Sequence, residues 1–161
     1  MGPTGSDNPR RAGSPRSQHP SQRARRRRVA AEKRTASARI LVSESDRGAK
    51  PAVSDVVRGM GYEVIAHHTL ADALREATTG NFDVIVASVP TLADEKVRLL
   101  QVLRRATPNV PLVIVTSDGS LEMRIRCQSA RPFYYAVRPV DEAELRSILT
   151  GALARGTASG N

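Results

Sequence analysis

Five short apolar runs punctuate this chain from residue 39 onward, and a segment with helical spacing follows each one. The runs are Arg39-Ile40-Leu41-Val42, Tyr62-Glu63-Val64-Ile65-Ala66, Asp83-Val84-Ile85-Val86-Ala87, Pro111-Leu112-Val113-Ile114-Val115 and Phe133-Tyr134-Tyr135-Ala136-Val137. Nearly continuous apolar strands of this length are buried on both faces, which points to a parallel sheet with helices packed on each side. The intervening segments supply those helices. Ala49, Val53, Val56, Val57 and Met60 share one face, with Gly61 as the stop. Thr69 caps a helix carrying Leu70, Ala73, Leu74 and Ala77, closed by Gly80. Pro90 breaks the chain after the third strand, and Val97, Leu100 and Leu103 mark the next helix face. A weaker helix spans roughly Leu121–Ser129. Asp141, with Glu144 three residues on, opens the last helix with Leu145, Ile148, Leu149 and Leu153.

Strict strand–helix alternation gives an α/β fold. Five units with right-handed crossovers form a flavodoxin-like, doubly wound (βα)5 domain with strand order 2-1-3-4-5. Ligands of such sheets bind at the carboxyl ends of the strands, near the point between the first and third where the order reverses. The topology alone therefore nominates Ser43–Asp46, Ser88–Pro90, Thr116–Asp118 and Arg138–Pro139 as the site.

Composition bounds the rest. Aromatic residues make up 3% of the 161 and tryptophan is absent, so the core has to be aliphatic. A single cysteine, Cys127, excludes an internal disulfide framework and fits a reducing, cytoplasmic setting. It falls mid-helix with no activating partner, so it reads as packed. No apolar run approaches the roughly 18 residues of a membrane span. His67 and His68 read as loop residues, because adjacent side chains rarely converge on one metal.

The net charge of +9 is unevenly placed. Residues 1–38 hold ten basic and two acidic side chains, a net of +8, and the remainder carries +1. Residues 1–37 lack large apolar side chains and read as a disordered basic arm, with the domain at 38–155 and a disordered tail at 156–161. Arg25, Arg26, Arg27 and Arg28 form a candidate polyanion-binding element. The plainer reading is a solvated arm, or even one translated from an upstream start codon.

The segment 38–154 resembles the receiver domain of two-component response regulators. The resemblance rests on Ile40-Leu41-Val42-Ser43-Glu44-Ser45-Asp46, Gly61-Tyr62-Glu63-Val64, Phe82-Asp83-Val84-Ile85-Val86-Ala87-Ser88, Val110-Pro111-Leu112-Val113-Ile114-Val115-Thr116 and Tyr135-Ala136-Val137-Arg138-Pro139-Val140. It implies an acidic pair after the first strand and an aspartate after the third, which together hold Mg²⁺. That aspartate accepts a phosphoryl group. A threonine or serine follows the fourth strand, an aromatic stands on the fifth, and a lysine comes after it.

This chain departs from that pattern where the chemistry lies. The acidic pair falls on Glu44 and Ser45, with Asp46 next. The phosphoacceptor position is Ser88 and the lysine position is Arg138, while Thr116 and Tyr135 keep the switch positions. A serine hydroxyl needs a neighbouring base to become a nucleophile, and no histidine falls at the site. Mg²⁺ favours carboxylate oxygens, and two of the coordinating positions are neutral. The expectation is therefore a degenerate receiver that is not an enzyme, with Mg²⁺ binding lost or weak and Arg138 paired with Glu44 or Asp46.

The resemblance also implies partner docking on the fourth helix, fifth strand and fifth helix of the domain, where Arg124, Arg126, Arg131 and Tyr134 fall. A protein partner in a signalling pathway, and a homodimer, are the expected associations. The span after Leu153 is too short for an output domain. The alternative is a nucleic-acid-associated protein that binds through its arm and dimerises through the receiver. A third possibility is an active receiver using Glu44 or Asp46 as a displaced acid.

Overall fold

The structure is a computed structural model and describes Gly2 and residues 20–36, 38–45, 48, 51–91 and 93–158. Five strands form one parallel sheet: β1 (Arg39–Glu44), β2 (Glu63–His67), β3 (Val84–Ser88), β4 (Leu112–Thr116) and β5 (Tyr134–Val137). Their order is β2-β1-β3-β4-β5, as the alternation of runs predicts. The helices are α1 (Pro20–Ala36), α2 (Val53–Gly59), α3 (Leu70–Thr79), α4 (Asp94–Ala106), α5 (Leu121–Gln128) and α6 (Glu142–Ala158).

The period-2 geometry of the strands sorts their aliphatic side chains into two cores. Leu41, Ile85, Ala87, Leu112 and Ile114 pack with Leu70, Ala73 and Ala77 of α3, Val97, Leu100 and Leu103 of α4, and Met123 and Cys127 of α5. On the opposite face, Ile40, Val42, Val84, Val86, Val113, Val115 and Ala136 meet Val53 and Val57 of α2 and Leu145, Ile148, Leu149 and Ala152 of α6. Both faces of every central strand are thus dry, which is why their sequences are apolar without alternation.

Local chemistry sets the boundaries. Thr69 Oγ1 accepts from the Asp72 N–H at 3.0 Å, and Ser120 Oγ accepts from the Met123 N–H at 3.2 Å. Asp141 Oδ1 accepts from the Glu144 N–H at 2.7 Å, the cap expected there. Gly61 has φ +92°, a left-handed conformation that glycine adopts without steric cost between α2 and β2.

Several sequence expectations are corrected. Pro20–Ala36 is helical, where a disordered arm was expected. The expectation treated a missing apolar core as decisive. Yet Ala, Arg, Gln, Glu and Lys are strong helix formers, and a helix closes its backbone bonds within its own segment. Pro20 suits the first helical position. The last helix likewise runs through Ala158, beyond the expected boundary at residue 155. Residues 3–19 and 159–161 lie outside the described residues. His67 is the final residue of β2 and not a loop residue, because the strand is shifted one position from the apolar run.

Core truncation provides the test of this packing. Leu100 is fully buried in the α4 contact, whereas Val102 on the same helix is 46% exposed. Leu100→Ala is expected to lower unfolding free energy by about 2–5 kcal/mol, and Val102→Ala to change it by less than about 0.5 kcal/mol, in urea titrations followed by circular dichroism.

Candidate functional site

The carboxyl ends of β1 and β3 lie side by side, with Glu44 in register with Ser88. Both follow valines of the α2/α6 core at a spacing of two, so both project from that face of the sheet. Arg138 follows Ala136 of β5 by the same spacing, across a cis Arg138–Pro139 peptide bond from Pro139. The pleat therefore delivers an acid, an alcohol and a guanidinium to one place.

Their contacts define the site. Arg138 Nη2 donates to Ser88 Oγ at 2.7 Å and lies 3.5 Å from Glu44 Oε1. The expected Arg138–Glu44 pair is present, and the Ser88 hydroxyl is an additional, nearer partner of the guanidinium. Asp46, the other expected partner, lies outside the described residues. Ser88 is 1% exposed and Glu44 is 7% exposed.

A carboxylate this buried needs compensation, and the start of α2 supplies it. The Val53 N–H donates to Glu44 Oε1 at 2.7 Å. The Ser54 N–H and the Ser54 hydroxyl donate to Oε2 at 3.3 and 2.9 Å. Ala52 stands at the N-cap of α2 and has no side-chain acceptor. Glu44 acts as that cap from a neighbouring strand, against the positive end of the helix. Sequence reasoning missed this role. Nothing in Ala52-Val53-Ser54 marks a helix start, and the acceptor sits eight residues upstream of the cap position.

Thr116 and Tyr135 belong to the other face, following Ile114 and preceding Ala136. Thr116 is fully buried; its Oγ1 accepts from the Asp118 N–H at 3.2 Å and donates to the Pro90 carbonyl at 3.4 Å. Thr116 thus caps the turn at Asp118 from the end of β4. The Tyr135 hydroxyl donates to the Asp118 carbonyl at 2.6 Å, which holds the ring against the same turn. Burial raises the Tyr135 phenol above its usual range. Asp118 is held below the usual carboxylate range, first by the Ser120 N–H that its Oδ1 accepts at 2.8 Å. Ser45 is half-buried, and its N–H donates to the Ser88 carbonyl at 3.2 Å.

Two of the four residues expected on an interaction face are held within the chain. The Arg124 guanidinium lies 5.5 Å from the centre of the Tyr135 ring, and Arg126 pairs with Asp94 of α4. Arg131 is exposed with φ +45°, a left-handed conformation costly for a side chain of its size. Tyr134 is exposed. On α5 the apolar side chains of Leu121 and Ile125 are exposed one helical turn apart. Cys127 is buried and reduced, and burial raises its thiol above the usual range, in keeping with a packing role. His67 Nε2 lies 3.6 Å from Glu76 Oε2, too far for a hydrogen bond. Among the described residues no three His, Cys, Asp or Glu side chains gather into a group suited to a metal.

Solved structures place this geometry in context. A receiver domain from Methanospirillum hungatei superposes with a TM-score of 0.68 at 23% identity, covering 76% of this chain and 98% of its own. A magnesium-bound receiver domain of a sensor histidine kinase from Pseudomonas aeruginosa gives 0.64 at 23% identity, covering 73% and 98%. The domain has the receiver fold. No family model matches the chain. Among curated proteins it is similar to the transcriptional regulatory protein ZraR of Salmonella typhimurium, 26% identical over 121 residues. It is also similar to the DNA-binding transcriptional regulator NtrC of Rhizobium meliloti, 25% identical over 117 residues. These matches cover 75% and 73% of this chain but span only about a quarter of each regulator, 27% and 24%. The receiver fold thus carries, at its strand ends, a serine held by an arginine.

The two buried serines at this end of β1 and β3 give opposite expectations. Ser43 Oγ is buried with no hydrogen-bond partner, whereas Ser88 Oγ accepts from Arg138. Ser43→Ala is expected to be neutral or stabilising by up to about 1 kcal/mol, because it removes an unsatisfied hydroxyl. Ser88→Ala is expected to cost about 1–3 kcal/mol, because it strands a guanidinium N–H. Urea denaturation of both variants reads the contrast.

Proposed function

We propose that this chain is a degenerate receiver that works in two-component-type signalling as a protein-interaction module, without being phosphorylated. One observation carries the reading: Arg138 Nη2 is spent on the Ser88 hydroxyl at 2.7 Å, at the strand end where a phosphoacceptor would stand. An alcohol there is not ionised at neutral pH. The acid beside it, Glu44, has both oxygens committed to the N-terminus of α2 and cannot serve as its base without uncapping that helix.

The donor set argues against a resident divalent cation. Mg²⁺ is reluctant to shed water and is usually held by carboxylates. Of the described residues at this end of the sheet, Ser45 and Ser88 are neutral, and the cationic Arg138 already lies beside Glu44. Binding of Mg²⁺ is therefore taken to be weak or absent.

Output by docking is supported by the exposed apolar pair Leu121 and Ile125 on α5 and by exposed Tyr134 on the edge strand β5. No helix among the described residues is long and apolar enough to cross a membrane. A second reading, association with nucleic acid through the basic segment, is favoured by the helical form of Pro20–Ala36.

Incubation of the full chain with acetyl phosphate and Mg²⁺, followed by intact mass spectrometry, tests the first reading. No phosphoryl adduct is expected under conditions that load an ordinary receiver. A stoichiometric, hydroxylamine-labile adduct would overturn it and point to a displaced carboxylate.

A further inference from the structure

We propose that α1 is a groove-binding element for duplex DNA. This deepens the second reading above and is independent of whether the domain accepts phosphate. Five arginines, Arg23, Arg25, Arg26, Arg27 and Arg28, lie within the stretch 21–29, every residue of which is exposed.

Their distribution decides the ligand. At about 100° per residue, these positions leave no arc wider than about 100° free of a guanidinium. The two apolar residues of the stretch, Ala24 and Val29, stand about 140° apart on the same wheel. They form no stripe. A helix that lies on a membrane surface needs a continuous apolar face of about 100° or more with its cations gathered opposite. This stretch has neither. A helix that docks on an acidic protein surface likewise gains from one charged side only, and its remaining cations stay solvated.

A helix ringed by cations fits a site with anions on both sides. The major groove of B-form DNA is about 12 Å wide and admits an α-helix between two phosphate walls. The A-form major groove of duplex RNA is too narrow to receive one. Arginine forks suit both phosphate oxygens and the guanine edge. No aromatic residue lies in Pro20–Ala36 to stack on unpaired bases, so a single strand is a poorer fit. Binding of this kind is dominated by phosphate contacts and carries little sequence preference of its own.

The experiment uses the full chain and three probes: a mixed-sequence 20-base-pair DNA duplex, the RNA duplex of the same sequence, and vesicles of phosphatidylserine and phosphatidylcholine. Fluorescence anisotropy reads the duplexes and co-sedimentation the vesicles. The DNA duplex is expected to bind with a log–log salt slope of about −4, a loss of roughly 250-fold between 50 and 200 mM salt. RNA and vesicles are expected to bind at least about tenfold more weakly. Replacing Arg25, Arg26 and Arg27 with Gln should reduce the slope by two to three units. A second variant, Ala24→Pro with Val29→Pro, keeps every charge and breaks the helix. It is expected to lose about tenfold or more on DNA. Undiminished DNA binding by the proline variant would overturn the groove-binding helix and leave a charged tether. Equal or tighter binding to vesicles or RNA would overturn the choice of ligand, and failure of all three probes would overturn the second reading itself.

Discussion

A guanidinium closes the carboxyl end of this sheet, and the chemistry available there follows from it. Arg138 spans from the end of β5 to the ends of β1 and β3, donating to Ser88 and standing beside Glu44. Two strands thereby become linked to a third through side chains, at the topological switch point where a doubly wound fold usually opens to a ligand. Removing either partner would leave a polar group buried without its mate, and that penalty is larger than the net gain from the bond itself.

Glu44 is committed to structural contacts. Its carboxylate is almost wholly buried, so its charge has to be matched on several sides. It is matched by two backbone N–H groups and a hydroxyl of α2, and by Arg138. Each of those contacts uses a lone pair that a metal or a proton transfer would need. Thr116 and Tyr135, on the opposite face, keep the residue types associated with a receiver switch but are bonded to the loop after β4. The described residues at this end of the sheet are thus neutral or paired with one another.

The fold was legible because its determinants are local and repetitive. Five apolar runs, Thr69, Asp141 and Gly61 speak for themselves in a single sequence, and the parity of Glu44, Ser88 and Arg138 follows once the strands are placed. The partners were less legible. The bond from Arg138 to Ser88 joins positions 50 residues apart, and Ser54 meets Glu44 through the packing of α2 on the sheet. Neither has a sequence pattern. The helical form of Pro20–Ala36 was less legible for a different reason. Lack of a core predicts that Pro20–Ala36 has nothing to pack against, but helix propensity depends on the backbone and on straight-chain side chains, not on burial.

On the proposed reading, the Ser88–Arg138–Glu44 cluster stands where an active receiver would need an anionic, cation-holding acceptor. Fluorine NMR of the full chain titrated with beryllofluoride and Mg²⁺ tests it most directly, since this complex occupies an acceptor carboxylate beside a bound cation. Only free beryllofluoride and fluoride signals are expected, with the Ser88 and Arg138 amide resonances unmoved in proton–nitrogen spectra of the same titration. A saturable, Mg²⁺-dependent bound beryllofluoride signal that moves those resonances would contradict that reading.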